Sequence, residues 1–139
     1  MVGMLHRKII RPLLQEIYQD DPWKMLVCCI LLNLTKRQQV DEVRHKLFTK
    51  YPTEYDMIEA DEDELAQILQ PLGLYKRRAK TLIKMSWQWV NGFSDVMELQ
   101  GVGQYAKDSW ELFQMNNTDI KPTDKVLLEY MWQEGVLNE

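Results

Sequence analysis

From Pro22 to about Leu34 the chain reads as a helix that is apolar nearly all round, through Trp23, Met25, Leu26, Val27, Cys28, Cys29, Ile30, Leu31 and Leu32. Such a helix must be covered on every side, and this one is too short to cross a bilayer. The rest of the 139 residues therefore has to wrap it, and that length suffices for one domain with a real core. Asp21-Pro22 marks where it starts: the carboxylate serves as N-cap and the proline takes the first helical position.

The segments available to wrap it are themselves helical in spacing. Pro12 opens a pattern in which Leu13, Leu14, Ile17 and Tyr18 share a side. Thr35-Lys36-Arg37-Gln38 fits a capping box, followed by Val40, Val43, Leu47 and Phe48 on one face and a stop before Tyr51-Pro52. Thr53 starts a short helix to Ala60, and Asp61 starts another carrying Leu65, Ile68 and Leu69. After the break at Pro71-Leu72-Gly73, Tyr75 to Val90 forms a long helix with Ala79, Leu82, Ile83, Trp87 and Val90 inward and its basic residues outward. A turn over Asp95 to Glu98, a helix from Gln104 through Trp110, Leu112 and Phe113, and a last helix from Val126 to Val136 complete the chain. Nowhere do Val, Ile and Thr alternate as a strand requires. The expected fold is all-α, an irregular array of short helices in one domain over residues 1–139, with 1–11 as an arm or a frayed first helix.

Charge and cysteines narrow the function classes. A net charge of −4 opposes a polyanionic partner at first sight, because phosphate contacts dominate nucleic-acid affinity. The acid, however, gathers in Glu54, Asp56, Glu59 and Asp61 to Glu64, where it suits the positive ends of two helices. From Leu65 to Ser94 there is no acidic residue, and Lys76, Arg77, Arg78, Lys80 and Lys84 fall there. One face can be basic on an acidic molecule, although a solvated helix side explains the same run. Cys28 and Cys29 are adjacent and lack metal-site spacing, so they read as buried thiols of a reducing compartment, with no metal and no cofactor. No run is long enough for a membrane span, and Met1 to Lys8 has no signal-peptide core. A soluble intracellular protein is expected, nuclear if eukaryotic and otherwise in the cytoplasm or nucleoid.

The chemistry-bearing stretch is Leu99-Gln100-Gly101-Val102-Gly103-Gln104-Tyr105-Ala106, read with Asp124. Two glycines around one apolar residue, just before a helix, suit a tight turn whose amides point outward at a helix N-terminus, where they and the dipole attract phosphate. The same pattern also serves as plain punctuation before a helix.

This stretch resembles the helix-hairpin-helix of the DNA glycosylase superfamily, usually written Leu-Pro-Gly-Val-Gly, with Gln100 in place of the proline. Asp21-Pro22-Trp23-Lys24, Leu32-Asn33-Leu34-Thr35, Pro71-Leu72-Gly73-Leu74-Tyr75, Arg78-Ala79-Lys80 and Pro122-Thr123-Asp124-Lys125 fall in the order and at the intervals of the mismatch thymine/uracil glycosylase domain of methyl-CpG-binding-domain glycosylases. The resemblance runs from about Leu14 to about Trp132. Some members of the superfamily carry a four-cysteine iron–sulfur cluster near the C-terminus, a region without cysteine here, so the resemblance implies a clusterless branch.

Residue by residue, the resemblance makes Gly101, Val102 and Gly103 the DNA clamp, with Arg78 and Lys80 on the DNA side, and Leu74 the wedge inserted when a nucleotide is extruded. Leu34 stands where relatives carry an arginine that fills the vacated space; leucine can wedge there but cannot hydrogen-bond an orphaned base. Asp124 is implied as the carboxylate that stabilises an oxocarbenium-like sugar and orients water, although its position before a helix equally suits an N-cap. Tyr105 and Gln15 are implied to line the base pocket. In the bifunctional branch position 105 is a lysine that forms a Schiff base, which tyrosine cannot do. The implied activity is a monofunctional glycosylase acting as a monomer on double-stranded DNA with a mismatched or damaged pyrimidine: thymine or uracil, extending to 5-substituted uracil, opposite guanine. The alternative is a helix-hairpin-helix module that binds DNA without catalysis or assists another base-processing pathway.

Overall fold

A computed structural model describes residues 9–136. Most of the basic N-terminal piece, with the segment tested for a signal peptide, lies outside them. Among the described residues the α-helices are α1 (Leu14–Ile17), α2 (Pro22–Leu31), α3 (Arg37–Lys50), α4 (Glu54–Ile58), α5 (Glu62–Leu69), α6 (Tyr75–Asn91), α7 (Gln104–Phe113) and α8 (Lys125–Gln133). Short 3-10 turns stand at Gln70–Leu72 and Val96–Glu98, and no strand is present among the described residues.

The axis is α2. Every residue from Met25 to Leu31 is buried, as is Trp23, and α1, α3, α6 and α7 pack around it. Each fully buried side chain of this size contributes about 1.5–3 kcal/mol, so enclosing α2 is the main local reason for the array. Trp23 meets Phe48 edge-on and donates its indole N–H to Ser86 Oγ at 2.9 Å, joining α2 to α3 and α6. A second aromatic group, Trp89, Phe93 and Trp110, ties the end of α6 to α7. Arg11 closes the molecule from the other end, bridging Glu16 at 2.7 Å and Glu134 at 3.1 Å and stacking over Tyr130.

Helix starts follow local chemistry. Asp21, Thr53 and Asp61 each accept an amide proton as N-caps. The capping box expected at Thr35 is shifted by one: Lys36 is the N-cap, the Gln39 side chain accepts its amide proton at 2.8 Å, and Thr35 Oγ donates to the Leu31 carbonyl. Four side chains depart from the faces expected of them. Ile17, Trp87 and Val90 are exposed, while Arg78, expected outward with its basic neighbours, is buried. The inward stripe of α6 runs through Arg78, Ala79, Leu82, Met85 and Ser86, a helical spacing that leaves Trp87 and Val90 on the outer side.

Candidate active site

Asp124 is the N-cap of α8. Its Oδ2 accepts the Leu127 amide proton at 2.9 Å, and Oδ1 has no protein donor among the described residues. One oxygen thus fixes the side chain while the other is left to whatever enters. Asp124 lines a cavity of about 750 Å³ together with Gln15, Cys29, Gly101, Gly103 and Tyr105, a volume within the range of small-molecule sites. The cap reading and the site reading of Asp124 therefore coexist in one geometry.

The cavity has a polar wall from α1 and α7. Gln15, only 1% exposed, donates both amide hydrogens, to Tyr105 Oη at 2.6 Å and to Ser109 Oγ at 3.0 Å. Ser109 in turn donates to the Tyr105 carbonyl one turn before it. Gln15 is left with Oε1, a pure acceptor. Burial holds the Tyr105 phenol well above the ordinary tyrosine range, with the charges of Cys29 and Asp124 adding to the shift and the Gln15 hydrogen bond opposing it. Burial also pushes the Cys29 thiol up to about 12, opposed by its contact with the Ser109 hydroxyl and aided by the charge of Asp124. At neutral pH both groups keep their protons, so neither Tyr105 nor Cys29 puts a charge beside the carboxylate and neither is a ready nucleophile.

The hairpin stands at the rim. Gly101 has φ +84°, and a Cβ there would lie 2.7 Å from Thr81 Cγ2 and 3.1 Å from Ile30 Cγ2, so the turn sits directly on α6 and α2. Val102 is buried beneath it. Gly103 starts α7 without any side-chain cap, which leaves the first amides of a ten-residue helix facing outward. Lys107 pairs with Asp95 at 3.6 Å rather than standing free, whereas Lys76, Arg77, Lys80 and Lys84 line the exposed side of α6.

Two leucines stand out into solvent from turns that flank Arg78. Leu34 (φ +63°) and Leu74 (φ +48°) are both left-handed, a conformation that costs a residue with a Cβ about 1–2 kcal/mol, and they are 83% and 53% exposed. A strained backbone presenting an apolar side chain to water has no account in core stability, and such outliers gather at functional sites. Arg78 lies between the two turns: Nε donates to the Gly73 carbonyl at 2.9 Å, Nη2 to Asn33 at 3.0 Å and Nη1 to Leu31 at 3.5 Å. The structure thus brings Gln15, Tyr105, Asp124, Gly101, Gly103 and Leu34 to one cavity, places Leu74 and Lys80 outside it, and withdraws Arg78 from solvent. Sequence reasoning misses Cys29 in the wall and Ser109 behind it, where it holds Gln15 and Tyr105. The available signal was spacing, since Ser109 lies one helical turn beyond Tyr105 and Cys29 faces it from α2.

Residues 27–130 match the family model of the HhH-GPD superfamily base excision DNA repair proteins. The chain belongs to that superfamily. Among curated HhH-GPD relatives it is 38% identical over 122 residues to a methyl-CpG-binding domain protein 4-like protein of Arabidopsis thaliana, covering 86% of this chain and 27% of that one. It is 34% identical over 94 residues to a thymine/uracil-DNA glycosylase of Pyrobaculum aerophilum, covering 62% and 41%. The chain therefore spans between a quarter and a half of the length of these relatives. The HhH-GPD fold is also seen in a thermostable thymine-DNA glycosylase, at TM-score 0.64 and 20% identity over 76% of this chain and 61% of that one. A trapped endonuclease III–DNA covalent intermediate aligns at TM-score 0.63 and 21% identity, over 90% and 74%. The all-α helix-hairpin-helix architecture expected from the sequence is the one found.

Proposed function

We propose that this chain is a monofunctional DNA glycosylase that removes thymine or uracil, and by extension 5-substituted uracil, from mismatches with guanine. The observation that carries the reading is that Asp124, with one oxygen fixed and one free, shares a cavity with the Gly101–Gly103 hairpin. Outward amides at the start of α7 hold a phosphate, exposed lysines of α6 add charge to the same duplex, and the target nucleotide leaves the stack for the cavity. Gln15 Oε1, its donors already engaged, accepts the N3–H of the pyrimidine.

Within that complex the bond from C1′ to the base nitrogen breaks, its electron pair leaving with the base, and positive charge develops on the sugar. Asp124 stabilises that charge by electrostatics alone. Water then adds to C1′ and gives up its proton, for which the free Oδ1 is the placed acceptor. Tyr105 offers a protonated phenol where an amine would be needed for a Schiff base, so the product is an intact abasic site.

Two measurements test this. Oligonucleotides holding T·G, U·G, U·A and single-stranded U are expected to lose base fastest from the two guanine mispairs; no release from any of them would leave a DNA-binding module without catalysis. Sodium borohydride added during turnover is expected to trap no covalent protein–DNA adduct. A trapped species would show amine chemistry and overturn the monofunctional reading.

A further inference from the structure

We propose that Arg78 is a positioning residue that staples the Leu34 and Leu74 turns into a single two-pronged apolar wedge. The proposal rests on the duplex-opening part of the function argued above. The Leu34 turn follows α2 and the Leu74 turn precedes α6, and among the described residues Arg78 is the side chain that hydrogen-bonds both, through Asn33 on one side and Gly73 on the other. No carboxylate pairs with it among the described residues. Its partners are neutral carbonyls, two of them, Leu31 and Asn33, at the C-terminal end of α2, where helix carbonyls favour a cation.

A planar guanidinium with donors on three edges can reach both turns at once, and a lysine ammonium on a single flexible stem cannot hold that fork. Both turns sit in a left-handed conformation, which persists only where neighbouring structure holds it. The staple supplies that hold and fixes the spacing of the two prongs. Because both prongs are apolar, the device unstacks the duplex without reading a base edge.

The test uses a T·G duplex with 2-aminopurine beside the target thymine, whose fluorescence rises when the stack opens, and a second duplex with thymine opposite an abasic site, which is already unpaired. Arg78→Met is expected to blunt the fluorescence rise and slow single-turnover release from T·G about tenfold, part of what opening a stacked step requires, with Arg78→Lys between it and the parent chain. Release from thymine opposite the abasic site should change by less than about twofold, because that step needs no wedge. Equal slowing on both duplexes, or an undiminished fluorescence rise, overturns the staple. If Arg78→Met loses its helical circular dichroism, the exposed prongs decide. Leu34→Ala and Leu74→Ala are each expected to lose as much unstacking as the double variant, and independent, multiplying losses overturn the single-wedge geometry. Unstacking by the parent chain without base release would sink the glycosylase reading and leave the wedge standing. Base release by leucine variants that unstack normally would sink the wedge alone.

Discussion

Asp124→Asn is expected to lower base release by about 10³-fold, the scale on which a positioned charge or general base acts, while mismatched duplex still binds. The substitution is informative because Asp124 is the N-cap of α8 and, in the proposed function, also the charge beside the sugar. Asparagine keeps an oxygen to accept the Leu127 amide proton, now accepted at 2.9 Å, and ranks with aspartate as an N-cap. The melting temperature should therefore hold, and whatever activity disappears belongs to the negative charge. Asp124→Ala removes the cap as well and should cost about 0.5–2 kcal/mol of stability in addition. Single-turnover release set beside thermal melts for both variants separates the roles. Turnover by Asp124→Asn equal to that of the parent chain would reduce Asp124 to a helix cap and remove the carboxylate from the mechanism.

What could be read in the sequence divides along a physical line. Caps at Asp21, Thr53, Asp61 and Asp124 were legible because a cap is a contact over three residues. The central helix was legible because an all-round apolar pattern admits one placement. Gln15 was not legible from its own surroundings. It sits beside exposed Ile17 on a four-residue helix, and its burial comes from Tyr105 and Ser109, ninety or more positions away. Only the resemblance put it in the pocket. Arg78 was misplaced because a basic run invites an outward face, yet its register with Leu82 and Met85 places it on the inward stripe. Periodicity outranked residue type there, and the cation is tolerated inside because backbone carbonyls meet it. Leu34 was read as the end of α2, whereas the helix stops at Leu31 and Leu34 turns left-handed into solvent. That conformation is imposed by tertiary contacts, which local propensity does not record.

The two glycines of the hairpin should respond in opposite ways to the same methyl group. Gly101→Ala places a Cβ 2.7 Å from Thr81 Cγ2 and 3.1 Å from Ile30 Cγ2 on a backbone at φ +84°. Left-handed strain costs about 1–2 kcal/mol, and forcing a group into packed surroundings about 1–3 kcal/mol more. Against a total stability of about 5–15 kcal/mol, this should appear as a melting temperature lower by at least about 5 °C. Gly103 meets nothing within 4 Å and has an ordinary extended backbone, so Gly103→Ala should melt within about 0.5 kcal/mol of the parent chain, as open surface substitutions do. Its methyl instead stands beside the uncapped amides of α7, and the expected loss is in duplex affinity. Thr81→Ser removes the methyl that Gly101→Ala would strike first, so the double variant should recover the Thr81 share of the packing loss but neither the Ile30 share nor the backbone part, a coupling that a double-mutant cycle measures. A Gly101→Ala protein that melts like its parent would show that the hairpin does not rest on α6, and with that the rigid seat of the proposed clamp would be lost.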